Sequence, residues 1–211
     1  MHGAMMTRIF AAALLAALPT LTFAQAPQAP APTAASQAEV IPVAIETSAG
    51  RIVIALDKTH APITTANFLH YVDTHRFDGE NFYRAMHVGT GGLIQGGIRT
   101  DARKLYAPIK HEPTSETGLH NVTGAISMAN AGAGTARADF FILASDIPAL
   151  DAKGDDPGFA VFGHVTEGMD VVARILGSPV SPTLGEGVMK GQMLDPTIKI
   201  LKATRVQPSK P

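Results

Sequence analysis

Two polar side chains in the first half of the chain have the types and spacing to act on a bound molecule. Arg84 follows a Phe-Tyr pair at 82–83, and Gln95 precedes a Gly-Gly pair at 96–97. A guanidinium is always charged and presents several N–H donors, so it can stabilise a lone pair that develops during a reaction. The Gln95 amide both donates and accepts hydrogen bonds. On residue type alone, an arginine after a strand is usually a solvated surface charge, so the neighbouring motifs decide its interpretation.

Four further motifs follow downstream. Met-Ala-Asn-Ala-Gly at 128–132 and Asp-Phe-Phe-Ile at 139–142 couple a small-residue turn to an apolar run that is typical of a strand. Leu-Asp at 150–151 and Val-Phe-Gly-His-Val at 161–165 come next. Each motif alone is compatible with ordinary packing, because phenylalanines on a core strand need no function. Their order along the chain carries the information.

Several kinds of chemistry are disfavoured by composition. The chain has no cysteine, which removes thiol catalysis and zinc sites built on cysteine. Its eight histidines share no metal-ligand spacing such as HExxH, so surface imidazoles are expected and no metal or other cofactor. The glycines at 91–92 lack the Gly-Lys-Ser/Thr ending of a phosphate loop.

Short β-rich runs dominate the pattern after residue 40, and a Ser-Ala-Gly turn at 48–50 joins the first two into a hairpin. Within the run at 140–144, alternation places Phe140 in the core and Phe141 on the opposite face. Eight strands are predicted, at 43–47, 51–56, 82–86, 93–96, 123–128, 140–144, 160–165 and 197–206.

Two helices complete the prediction. The first begins near Pro62, which suits an initial helical turn, and the second spans 169–176 between Gly168 and Gly177. Apolar residues of the first helix can share one face: Ile63, Phe68, Leu69 and Val72. Many short strands, two helices and Gly- and Pro-containing loops predict a mainly β fold, a closed or nearly closed antiparallel barrel.

In their order, these motifs resemble the cyclophilin family of peptidyl-prolyl cis–trans isomerases, from near Val43 to about Val206. The resemblance implies a closed eight-stranded antiparallel β-barrel capped by two α-helices, with a binding groove on its outer face. It also implies Arg84 as the catalytic residue. Nine substrate-binding residues follow from it: Tyr83, Leu93, Gln95, Ala129, Asn130, Asp139, Phe141, Leu150 and Phe159.

The implied reaction is rotation about an X-Pro bond. Amide resonance gives a barrier of about 18–20 kcal/mol, and no bond is broken, so neither nucleophile nor cofactor is needed. In the twisted amide the nitrogen gains a lone pair that can accept a hydrogen bond. A guanidinium beside it would stabilise the transition state more than the planar ground state. The expected partners are therefore proline-containing unfolded or extended polypeptides.

Four positions depart from the family pattern. The loop between Arg84 and Gln95 is longer than usual and lacks the pocket Phe of a Pro-Gly-Phe motif, a gap that Leu93 or Met86 is expected to fill. Asp139 stands in place of Gln, where it either pairs with Arg137 or disfavours acidic peptides. Ala149 replaces an aromatic residue, Phe159 falls where a histidine is common, and the chain has no tryptophan. Family members that bind cyclosporin tightly use a tryptophan beside the pocket.

The N-terminus has the pattern of a secretory signal. Arg8 precedes an apolar run at 9–21, which is too short for a membrane anchor, and small residues allow cleavage after Ala24 or Ala26. We predict a signal peptide at 1–24, an Ala/Pro-rich flexible linker at 25–39, a cyclophilin-like domain at 40–207 and a tail at 208–211. A periplasmic location follows, with full secretion as the alternative, and no stable membrane insertion after cleavage.

The sequence therefore predicts an exported prolyl isomerase that assists protein folding, expected to be a monomer. Removal of Arg8 leaves 16 basic against 18 acidic residues, a net charge of −2, which gives no reason to expect nucleic acid as a partner. The alternative function is a proline-peptide-binding chaperone module with little turnover, because the pocket loop is altered.

Overall fold

The computed structural model describes residues 38–99 and 101–206. One sheet contains all nine strands of this part: β1 (Val40–Thr47), β2 (Gly50–Asp57), β3 (Asn81–Val88), β4 (Gly91–Gly97), β5 (Ala125–Met128), β6 (Phe140–Leu143), β7 (Val161–Glu167), β8 (Val180–Ser181) and β9 (Met193–Arg205). The predicted signal peptide at 1–24, the tail at 208–211 and all but the last two residues of the linker at 25–39 lie outside the described residues.

Eight of these strands close into a barrel. Their order is β1-β2-β7-β5-β6-β4-β3-β9, every pairing is antiparallel, and β9 pairs with β1 to complete the ring. The two-residue strand β8 pairs with β9 alone and lies outside the ring. The predicted closed eight-stranded antiparallel barrel is confirmed. Closure pairs both edges of the sheet, which removes the exposed edges of an open sheet.

Three α-helices are present in the described residues: α1 (Pro62–Asp73), α2 (Thr114–Thr117) and α3 (Met169–Leu176). The bounds of α3 are those predicted, with Gly168 and Gly177 as its caps. The prediction of two helices omitted α2, which lies in the long β4–β5 connection and ends at Gly118 with a φ of 71°. Four residues are too short to show helical periodicity, so the sequence pattern contained no signal for α2.

One expected core residue of α1 is exposed instead. Ile63 is exposed, whereas Thr64 is fully buried. The cause is Glu112, whose carboxylate accepts hydrogen bonds from the Ile63 N–H (3.0 Å), the Thr64 N–H (2.7 Å) and the Thr64 hydroxyl (2.6 Å). A carboxylate here satisfies free backbone donors and complements the helix dipole, so the first turn of α1 is oriented by a residue far along the chain.

The barrel strands separate two apolar clusters by alternation. Phe140 and Ile94 belong to the barrel core, where Phe140 meets Phe68 of α1 edge-on with ring centroids 5.2 Å apart. Phe141 and Leu93 face the other way and belong to a second cluster on the outer side. The predicted opposite orientation of Phe140 and Phe141 is confirmed. Within the described residues, no helix has the length and apolar character needed to span a bilayer.

Candidate active site

A β-bulge brings two adjacent polar side chains to the same face. Along β3, Phe82 pairs with Gly96 and Arg84 pairs with Gln95. Tyr83 is therefore an extra residue in β3 that has no partner in β4. A bulge interrupts strict alternation. Phe82 therefore remains in the core, while Tyr83 and Arg84 both line the outer cleft. Sequence alternation alone would have placed Tyr83 and Arg84 on opposite faces.

The loop between Arg84 and Gln95 is an ordered extension of the sheet. β3 continues to Val88 and β4 begins at Gly91, so the connection is a two-residue turn at 89–90. Gly89 has a φ of 59°, a left-handed conformation that glycine adopts without steric cost. The expected longer loop is thus a regular hairpin, which places the pocket residues on strands.

All ten residues that the sequence assigned to the site line one cleft of about 610 Å³. They come from β3, β4 and β6 and from the segments that follow β5 and β6. The cleft also contains residues that the sequence interpretation did not assign: Ile98, Arg99, Leu105, Thr135, Arg137, Val188 and Met189, among others. Val188 and Met189 lie in the loop before β9, which has neither strand nor helix periodicity to place it, so no local signal could have found them.

Neutral groups hold the Arg84 guanidinium at the polar side of the cleft. Its Nη1 donates to Oε1 of Gln95 and its Nε to Oε1 of Gln192, both at 2.8 Å, and its Nη2 lies 3.3 Å from the Met86 sulfur. Burial lowers the pKa of Arg84, although the guanidinium stays protonated. Among the described residues, none of the ion pairs within 4.0 Å involves Arg84. Its charge is therefore oriented without being neutralised.

The Gln95 side chain joins Arg84 to Tyr83. Its Oε1 accepts from Arg84, and its Nε2 donates to the Tyr83 hydroxyl oxygen at 2.8 Å. Gln95 is largely buried, and it stands opposite Phe141 of β6 as well as Arg84 of β3. A buried amide with both ends bonded has a defined orientation, so the backbone pairing of three strands determines where the guanidinium points.

An apolar pocket lies beside the guanidinium. Phe141 forms its floor and meets Phe159 edge-on, with ring centroids 5.3 Å apart and planes at 81°. Leu93 is buried in the same cluster, and Met86 and Leu150 pack against it. Leu93 and Met86, the two residues expected to fill the gap left by the missing pocket phenylalanine, both line the cleft.

Ala129 and Asn130 form the other wall, with part of their backbone available. The Ala129 N–H donates to the Asp139 carbonyl at 2.9 Å, so it is already used within the protein. The Asn130 Oδ1 accepts from the Gly132 N–H at 3.0 Å, which fixes the side chain. Among the described residues, the Asn130 N–H has no hydrogen-bond partner. An extended peptide bound in the cleft would find a donor there.

Asp139 is the unusual charge of the cleft. Burial raises its pKa to about 6, against the opposing effects of the Arg99 charge and the Tyr83 hydroxyl. Arg99 also lies over the Tyr83 ring, 4.7 Å from its centroid. The alternative in which Asp139 pairs with Arg137 and restrains Arg84 is wrong: no such ion pair lies within 4.0 Å among the described residues. The positive charge that acts on the pKa of Asp139 is that of Arg99, in the segment after β4.

Comparison with known proteins decides the family. The sequence model described as cyclophilin type peptidyl-prolyl cis-trans isomerase/CLD matches residues 42–205. The chain belongs to this family. This confirms the resemblance, and the activity of the chain is that of a peptidyl-prolyl cis–trans isomerase.

Relatives of this cyclophilin include bacterial enzymes. It is 39% identical over 137 residues to peptidyl-prolyl cis-trans isomerase A of Dickeya dadantii, which covers 63% of this chain and 70% of that protein. It is also 39% identical over 150 residues to a peptidyl-prolyl cis-trans isomerase of Streptomyces antibioticus, and the match covers 68% of this chain and 87% of that protein. A solved cyclophilin-type isomerase of Cryptosporidium parvum shares the fold, with a TM-score of 0.66 and 21% identity. The match covers 81% of this chain and 99% of the solved one.

Gly92 stands near the place of the missing pocket phenylalanine, and its backbone geometry excludes any larger residue. Gly92 has a φ of 146°, and a Cβ built there would lie 2.0 Å from the carbonyl oxygen of Met86. That contact is with backbone, so it cannot be relieved by a side-chain rotation. A substitution at position 92 would therefore strain this hairpin, so it would not supply an aromatic ring to the pocket without moving the backbone.

We expect Asp139→Asn to stabilise this cyclophilin at high pH but not at low pH. The pKa of Asp139 is raised from 3.8 to about 6 in the folded state. Its carboxyl therefore contributes stability that is fully present below about pH 4 and is lost as the pH rises through about 6. Asparagine does not titrate. The free energy of unfolding of the variant, relative to that of the parent, should therefore rise by up to about 3 kcal/mol from about pH 4 to about pH 8.

Urea unfolding of both proteins at the two pH values measures this change. Asp155→Asn is the matched control, because Asp155 is exposed. A stability difference between parent and Asp139→Asn that is the same at both pH values would contradict the prediction.

Proposed function

We propose that this cleft binds extended proline-containing polypeptides, and that Arg84 accelerates rotation about their X-Pro bonds while exported proteins fold. The observation that carries the proposal is the Arg84 guanidinium, held by two neutral amide oxygens beside the apolar pocket of Phe141. The pocket suits a proline ring. The guanidinium keeps N–H groups that are not used by Gln95 or Gln192, and these can donate to the imide nitrogen of a proline bound in the pocket.

The chemistry follows from what changes during rotation. A planar amide nitrogen shares its lone pair with the carbonyl and accepts hydrogen bonds poorly. As the bond twists, this lone pair localises on nitrogen, and a guanidinium N–H can donate to it. The interaction is strongest at the transition state, so it lowers the barrier. A reduction of about 6 kcal/mol corresponds to about four orders of magnitude in rate.

Substrate contacts are assigned by position in the cleft. Phe141, Leu150, Phe159 and Leu93 hold the proline ring, and the backbone at Asn130 binds the peptide chain. Backbone contacts do not depend on side-chain identity, which favours tolerance of many sequences around one proline. A second solved structure of the Cryptosporidium parvum enzyme was obtained in the presence of the dipeptide Ala-Pro, with a TM-score of 0.64. That ligand class supports proline-peptide binding here.

The exported location is the second part of the proposal. It depends on the signal pattern at 1–24 and on the linker composition at 25–39. We propose that the mature protein works as a monomer in the periplasm and that its substrates are exported polypeptides. Cell fractionation with an antibody against the folded domain tests this part independently of activity.

The purified mature domain is expected to accelerate cis–trans exchange of an Ala-Pro peptide without added metal or nucleotide. No bond is broken in the reaction, and the described residues contain no group of three or more His, Asp or Glu suited to a metal ion. Chymotrypsin-coupled cleavage or NMR exchange measures the rate. EDTA should leave it unchanged, and activity that disappears with EDTA and returns with zinc would contradict the prediction.

The same assay separates the alternative function. A proline-peptide-binding module with little turnover would bind the peptide in an NMR titration. Its cis–trans exchange would nevertheless keep the uncatalysed time constant of about 10–100 s. Binding together with catalysed exchange supports the enzyme.

A further inference from the structure

Gln192 lies at the end of the loop before β9, and its side chain contacts Arg84, which is remote from it in the sequence. Its Oε1 accepts a hydrogen bond from Nε of Arg84 at 2.8 Å, across a separation of 108 residues in the sequence. No sequence motif pointed to it. It is the second of the two amide oxygens that hold the guanidinium, the first being that of Gln95.

The backbone of Gln192 is fixed independently of its side chain. Its carbonyl accepts from the Ala85 N–H at 2.9 Å, and its N–H donates to the Met189 carbonyl at 3.1 Å. The next residue, Met193, pairs with Arg84 in the β3–β9 register. Removal of the amide group should therefore leave the loop in place, so its effect on Arg84 can be measured separately.

The two amides act on different atoms of the guanidinium. An arginine side chain has five N–H donors, and Nε has only one. Gln192 accepts the hydrogen bond from Nε, and Gln95 accepts one of the two that Nη1 can donate. Rotation about the bonds nearest the guanidinium would break the Gln192 contact, so this residue restrains the plane of the group. Both partners are uncharged and leave the positive charge available.

We propose that Gln192 is a positioning residue for catalysis, which holds the Arg84 guanidinium in the plane that meets the twisted imide nitrogen. This inference rests on the proposed role of Arg84. Gln192 acts through Arg84 and need not touch the substrate. Its removal should lower kcat and leave KM nearly unchanged, because the apolar pocket that binds the proline ring is not altered.

Gln192→Met is the decisive variant, since it keeps the length of the side chain and removes the amide oxygen. We expect kcat to fall about ten-fold, as for loss of a hydrogen bond to a charged group. KM should stay within about two-fold of the parent value. Gln192→Ala should give the same result. Lys190→Ala is the control, because Lys190 is exposed in the same loop and lies outside the cleft lining.

A spectroscopic measurement reports the restraint directly. The Nε–H signal of Arg84 in a ¹⁵N-labelled sample should be sharp in the parent and in Lys190→Ala, and should broaden or shift in Gln192→Met. In an Arg84→Ala background, measured at enzyme concentrations high enough to follow the residual rate, Gln192→Met should cause no further loss.

The outcomes separate this inference from the proposed function. Full activity of Gln192→Met, combined with impaired activity of Arg84→Ala, would overturn the positioning role alone. An equal loss of kcat from Gln192→Met with and without Arg84 would also overturn it. Full activity of Arg84→Ala would overturn the proposed function, and the positioning role with it.

Discussion

Replacing Arg84 by alanine is expected to lower the rate of catalysed X-Pro exchange about 10²–10³-fold and to leave the fold intact. Loss of one transition-state donor in comparable sites costs about 2.7–4 kcal/mol. Arg84 is half-buried on the outer face of the barrel and takes no part in the core cluster, so its removal should change the free energy of unfolding little. Chymotrypsin-coupled kinetics and thermal unfolding measure the two effects.

Arg84→Lys should recover little of this activity. An ammonium on a flexible stem cannot donate simultaneously to Gln95 and Gln192 and to the substrate in one plane, as a guanidinium does. Charge alone would be retained by this substitution, so the comparison separates charge from geometry.

Arg103→Ala is the matched control for both variants. Arg103 is largely exposed, pairs with Asp101 and lies outside the cleft lining. Parent rates in Arg84→Ala, at an unchanged melting temperature, would show that Arg84 is only a surface charge.

Cyclosporin is expected to bind this cyclophilin at least a hundred-fold more weakly than it binds members with a tryptophan beside the pocket. An indole face buried against the drug is worth on the order of 2 kcal/mol and its N–H donor about 1 more. This chain has no tryptophan. Binding at micromolar strength or weaker is therefore expected, while short proline peptides are still turned over.

Two features of the structure agree with weak binding of cyclosporin. Ala149 is exposed in the 3₁₀ turn Pro148–Leu150 and lies outside the cleft lining, although its neighbour Leu150 is part of it. The pocket also lacks an aromatic ring at Gly92, where a Cβ would collide with the Met86 carbonyl. The Phe159 ring, which also lines the cleft, is packed edge-on against Phe141.

Ala149→Trp tests the explanation directly. It should tighten cyclosporin binding more than it changes the rate of peptide isomerisation, because position 149 is next to the pocket and does not contact Arg84. Ala173→Trp is the control, since Ala173 is exposed on α3, away from the cleft. Nanomolar inhibition of the unmodified protein in a titration would show that another side chain, such as Phe159, takes the place of the tryptophan.

Local sequence patterns predicted most of the fold. All eight barrel strands were placed within a few residues, and the bounds of α3 agreed with Met169–Leu176 because Gly168 and Gly177 flank its apolar run. Phe140 and Phe141 were assigned to opposite faces, and both assignments are confirmed. Such features depend on residues near one another in the chain, where a period of two or of 3.6 residues records which side is buried.

Other features of the site could not be predicted, since they depend on contacts made only when the barrel closes. The bulge at Tyr83 appears only from the pairing of β3 with β4, and it turns Tyr83 and Arg84 to the same face. The raised pKa of Asp139 results from burial in the folded protein, and the residues that oppose the rise, Arg99 and Tyr83, are remote from Asp139 in the sequence. Exposure of Ile63 follows from the hydrogen bonds of Glu112, 49 residues away.

The sequence by itself determined the candidates for the chemistry: Arg84, Gln95 and Phe141 were identified from motifs and their order, and all three line the cleft. The orientation of Arg84 was decided by tertiary structure. Gln95 reaches it across one strand pair, and Gln192 reaches it only because β9 returns beside β3. A guanidinium on a flexible stem has many rotamers, so its direction depends on the partners that the closed barrel brings to it.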